Sequence, residues 1–165
     1  MAALLDLARP RAVDVAFWCW FAGSLLVGVT VALVSTRTIP MRAEFARVAG
    51  VGDPEASAAT IERVATVSVL AVIGTGAILG VLGLVLAGLM RAGRYWARGS
   101  LVVVALVAMA YTAFCATSLT EPMLGDRGGL VSAGLLIYTA TILVGVVCMF
   151  LPGGKAWFHR PTGRL

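Results

Sequence analysis

At 165 residues the chain has the length of one domain, and 60% of it is apolar against 13% charged, a balance outside the soluble globular range. Its formal charge is +5, yet the basic residues flank long apolar runs, which is the pattern of membrane orientation and argues against nucleic-acid binding. The expected class is all-α: a polytopic membrane protein of four transmembrane helices in an antiparallel bundle.

The first apolar run follows Arg9 and Arg11 and covers 15–35. It is too long for a signal-peptide core, and the following ALVSTRT is a poor cleavage site, so it reads as a retained first span. The loop at 36–63 comes next. Pro40 is placed to open a short helix running through Val48, with Met41, Phe45 and Val48 on one face. Gly50 or Gly52 stops it. Asp53, Pro54 and Glu55 then read as N-cap, first helical residue and dipole-matched acid of the next helix.

That helix continues into the second span, 64–90, which carries no charge. Counted from Asp53 it would be roughly 55 Å long, more than the bilayer core, so an outward stub is expected. With the loop, the stub makes a small extracytoplasmic cap. A turn at 91–98 leads to the third span, 99–119, and the fourth covers 128–151. Each span exceeds the roughly 20 residues that cross a hydrocarbon core.

Charge sets the threading. Arg9, Arg11, Arg91, Arg94, Arg98, Lys155, Arg160 and Arg164 fall on one side, and Arg37, Arg42, Arg47, Arg63 and Arg127 on the other, diluted by acids. The bias is concentrated in the short turn, where the positive-inside rule has most force, so both termini are expected in the cytoplasm. Trp18, Trp20, Trp96 and Trp157 fall at the same interface, where an indole buries its ring and keeps its N–H hydrated. Lys155 is the one lysine. The arginine usage, with abundant Ala, Gly, Val and Leu, suggests a GC-rich bacterial genome and hence the bacterial plasma membrane.

Within the second span, Gly76, Gly80, Gly83 and Ala87 share one stripe. Small residues there let another helix approach closely, whether from this chain, a second copy or a different protein. Ser24 and Gly28 are a weaker version in the first span. Gly93-Arg94-Tyr95-Trp96 and Gly154-Lys155-Ala156-Trp157 repeat a basic, aromatic exit after both even-numbered spans. In the turn, Arg91, Arg94, Trp96 and Arg98 suit a topological anchor to anionic head groups.

No ionisable side chain lies in the interior of any span, whereas proton coupling, voltage sensing and charged-substrate binding normally need one. Asp14, at the mouth of the first span, reads as an interfacial N-cap paired with an arginine. Cys19, Cys115 and Cys148 all fall in apolar runs without a C-x-x-C and read as small hydrophobes. His159 is the sole histidine, which leaves no haem ligand within the spans, metal cluster or Ser-His-Asp arrangement in view. No cofactor, metal or catalytic residue is therefore expected. Tyr111 and Thr112 sit mid-span and read as packing contacts between helices.

The turn R-A-G-R-Y-W-A-R, with Arg91, Gly93, Arg94, Trp96, Ala97 and Arg98, resembles that of small four-span integral membrane proteins of actinobacteria. These share an R-x-G-R-x-W-A-R cytoplasmic turn but no agreed activity, so the resemblance implies a setting and not a mechanism. Two functions stay open. One is a non-enzymatic accessory or assembly subunit, packing on another membrane protein or on itself. The alternative is a small oligomeric transporter or channel for a neutral or lipid-like solute, built around the third and fourth spans.

Overall fold

The computed structural model describes residues 11–119 and 121–151, which are overwhelmingly helical with no strand among them. Helices α1 (Arg11–Ser35), α2 (Thr38–Gly52), α3 (Ala58–Arg91) and α4 (Tyr95–Ser118) are followed by the one-turn α5 (Glu121–Leu124), a 3₁₀ turn and α6 (Gly128–Phe150). Helices α1, α3 and α4, and α6 with its preceding turn, are long and apolar enough to cross a membrane. The Gly154–Trp157 repeat, Trp157 and His159 lie outside the described residues.

The four long helices form a ring in chain order. Helix α1 packs on α3 and α6, and α4 closes the ring against the same two. Short connections make sequential neighbours antiparallel. Buried residues on α1 are Val13, Ala16, Trp20, Gly23, Val27, Thr30 and Val34, and on α3 they include Val69, Val72, Gly76, Leu79, Gly83, Leu86 and Met90. Both sets alternate steps of three and four, the seam that turns packed helices into a left-handed supercoil.

Large and small residues interlock along this seam. Trp20, 1% exposed, fills a slot made by two glycines on different helices. A Cβ on Gly83 of α3 would stand 3.2 Å from its ring, and one on Gly145 of α6 would stand 3.1 Å from it. Trp20 is therefore a core residue and not part of the interfacial belt, and its Nε1 finds no acceptor among the described residues. Trp18, two residues earlier and off the seam, is 56% exposed. At the end of the bundle beside α2, Met41 joins Val34, Val69, Met123 and Val131 in a second core cluster.

Helix α3 has 34 residues against 25, 24 and 23 in α1, α4 and α6. It overshoots them by roughly 14 Å at 1.5 Å per residue. That overshoot is the stub expected from sequence, and α2 packs along it to form a projecting hairpin. Three local expectations change. Helix α2 opens at Thr38, with Pro40 inside its first turn, where a missing N–H costs nothing. It runs to Gly52, and Val48 points outward at 51% exposure, away from Met41 and Phe45. Asp53 caps the end of α2, and its carboxylate accepts the Glu55 N–H at 3.3 Å.

The N-cap of α3 is Ser57, whose Oγ accepts the Thr60 N–H at 3.2 Å. Ser57→Ala should raise amide exchange at Thr60 and Ile61 by about fivefold, as for loss of a cap of about 1 kcal/mol. Asp53→Ala should leave those amides unchanged. Equal effects of the two variants would contradict this assignment.

Candidate functional site

The sequence-expected turn at 91–98 contracts to three non-helical residues, Ala92, Gly93 and Arg94. Gly93 has φ +83°, which a side chain would strain. Its N–H donates to the Met90 carbonyl at 2.9 Å, and the Arg94 N–H donates to that of Leu89 at 3.1 Å. This is a Schellman closure, and it satisfies two of the last carbonyls of α3.

The turn's three arginines do different work. Arg91 faces Asp14 across the α1–α3 contact, Nε to Oδ1 3.5 Å, and lies 4.5 Å over the Phe17 ring. Arg98 lies 4.8 Å over the Phe150 ring and so ties α4 to α6. Arg94, exposed, is the N-cap position of α4. Trp96 is 51% exposed, and Tyr95 also projects from the bundle, as amphipathic rings at head-group level do. Asp14 falls within the first turn of α1 and is not its N-cap. Its partner there is Arg91, and its charge also suits the helix dipole.

The stripe on α3 is turned inward to α1. Cβ atoms on Gly76 and Gly80 would come within 2.7 Å and 2.9 Å of Val31 and Val27, and Ala87 is fully buried. Tyr111 of α4 reaches the same region, where its hydroxyl donates to the Val72 carbonyl at 2.9 Å. Thr112 donates to the Ala108 carbonyl within its own helix at 2.8 Å. A cavity of about 10 Å³ between Thr30, Tyr111 and Cys115 is near the smallest that holds one water.

The opposite end of the bundle is clasped by polar contacts that sequence reasoning missed, since they join residues far apart in the chain. Arg37 pairs with Asp126, and Arg127 donates to Thr36 Oγ1. These tie the α1–α2 junction to the turn before α6. On the projecting hairpin, Arg42 of α2 pairs with Glu62 of α3 at 3.0 Å. Arg47 grips Glu44 in a bidentate contact at 2.6 and 2.9 Å. That hydrogen-bonded guanidinium holds the Glu44 carboxyl below its ordinary range. A lowered carboxylate favours the folded state at neutral pH, and that contribution fades as pH falls through the lowered value.

Beside the Arg42–Glu62 pair, Ala43, Ala46, Ala58 and Ala65 line a groove of about 350 Å³ between the two helices. Around the hairpin, Val48, Val51, Val64 and Val67 are exposed, Val51 by 72%. Fold and surface define a multi-pass helical membrane protein with an amphipathic hairpin beyond one end of its bundle. No protein-family model, curated protein or solved structure matches the chain.

Proposed function

We propose that the chain is a non-enzymatic accessory or assembly subunit of a larger complex in the bacterial plasma membrane. Both termini face the cytoplasm, and the α2–α3 hairpin docks a partner membrane protein on the opposite side. One observation carries this reading: the hairpin overshoots the bundle and presents exposed Val48 and Val51 there. Apolar side chains beyond the hydrocarbon are costly unless another surface covers them. The small-residue face of α3 is already occupied by α1, so docking falls to the hairpin. Arg94, Trp96 and Arg98 anchor the other end to anionic head groups. The filled seam between the helices favours this reading over a transporter or channel, which needs a path.

Purification from native membranes in mild detergent tests it. A stoichiometric membrane protein should accompany the chain and be lost from a Val48→Asp/Val51→Asp variant that retains its helix content. A chain that elutes alone from both preparations would overturn the proposal.

A further inference from the structure

On the outside of the bundle, α1 and α3 flank an apolar groove of about 690 Å³. Its lining includes the small residues Ser24, Gly28 and Gly80 and the larger Phe21, Leu25 and Leu84. A Cβ on Gly28 would meet nothing within 4 Å, so the groove is open at that point. Beyond the groove, towards the α3–α4 turn, the surface becomes aromatic and then cationic. Phe21 stacks on Phe17 with centroids 6.2 Å apart, and Trp18 meets both rings edge-on. The Arg91 guanidinium lies over the other neighbour in that chain of rings, Phe17, at 4.5 Å. Exposed Arg11 lies one turn before Asp14 on α1, so the groove ends at a net positive surface.

Length discriminates between occupants. From Arg91 to the far end of the groove at Gly76 is roughly 22 Å along α3. Half a bilayer, head groups included, is about 20–22 Å. Along α1 the groove extends from Phe21 to Ala32, roughly 16 Å, about half of what a spanning partner helix would cover. An apolar groove of that length, continued by an aromatic and cationic surface to about one leaflet's depth, matches a single phospholipid and not a helix.

We propose that this groove holds an acyl chain of an anionic phospholipid whose phosphate sits at Arg91 and Arg11. The site is separate from the hairpin, and it stands whether or not the hairpin binds a partner.

The test uses the full chain in detergent, titrated with phosphatidylglycerol or with phosphatidylcholine of identical acyl chains and followed by native mass spectrometry. One phosphatidylglycerol per chain should be retained in preference to phosphatidylcholine. Arg91→Gln should cut that preference by about fivefold, the effect of one basic residue near an anionic surface. Gly28→Leu fills open space and should weaken both lipids equally at unchanged helix content. In the unaltered protein, a phospholipid carrying a photoreactive group at its chain end should label α1 and α3 around Gly28 and Gly80. Equal retention of the two lipids, or labelling spread evenly over α4 and α6, would overturn the proposal. So would disulfide-linked dimers formed through Gly28→Cys, because a second copy would then fill the groove.

Discussion

Trp20→Ala is expected to destabilise the bundle by about 3 kcal/mol, at the lower end of the range for deleting a buried tryptophan. Two terms normally make up that cost. In a membrane the transfer term shrinks, because lipid tails are as apolar as the core. The cavity term survives, since the slot between Gly83 and Gly145 loses the ring that fills it. Gly145→Leu attacks the same slot from the other side, with its new Cβ 3.1 Å from the Trp20 ring. Overpacking of that kind costs about 1–3 kcal/mol. Combining the two changes should recover part of the loss, because leucine then grows into vacated space. Titration from mild detergent into dodecyl sulfate, followed by circular dichroism, measures all three. A Trp20→Ala protein as stable as the parent would contradict the slot.

Replacing Arg91, Arg94 and Arg98 together with glutamine should scramble the threading of the α3–α4 hairpin. Each arginine contributes about 1 kcal/mol near an anionic leaflet, so the triple change removes about 3 kcal/mol of bias. Arg37, Arg42, Arg47 and Arg63 then stand against a turn with no charge. Cysteine-accessibility labelling in intact cells should find the turn on both sides of the membrane in the variant, and on the cytoplasmic side alone in the parent. The single variants separate two roles. Arg91→Gln also loosens the α1–α3 contact at Asp14 and Phe17. Exposed Arg94→Gln should weaken orientation and leave stability unchanged. Undisturbed topology in the triple variant would rule out the anchor.

Most of the architecture was legible in the chain, because span length and the absence of charge depend on local composition alone. The overshoot of α3 followed from the same count. The residues that sequence misplaced depend on which neighbour comes close. Trp20 looked interfacial from its nearness to the first span's start. Its spacing from Ala16, Gly23 and Val27 puts it on the three-four seam, and that periodicity was a usable signal. Asp53 and Ser57 are both good N-caps, and nothing local ranks them. The choice follows from α2 extending to Gly52 and leaving Asp53 at its end. The glycine stripe faces α1, which carries Val27 and Val31 at the matching height, a pairing that needed the fold. Similarly, the Arg37–Asp126 clasp joins residues 89 positions apart, beyond any local pattern.

The three residues between α3 and α4 also limit how the bundle can move. Four Cα steps join Arg91 to Tyr95 and reach at most about 14 Å, while packed helix axes are already 8–10 Å apart. Sliding one helix past the other by a turn, roughly 5.4 Å, therefore uses up most of the slack. The two-residue link between α1 and α2 is tighter still. Piston-like motion is thereby restrained between α3 and α4 and between α1 and α2. Helix α3, unbroken from Ala58 to Arg91, carries a push on the hairpin to the arginine turn at its other end.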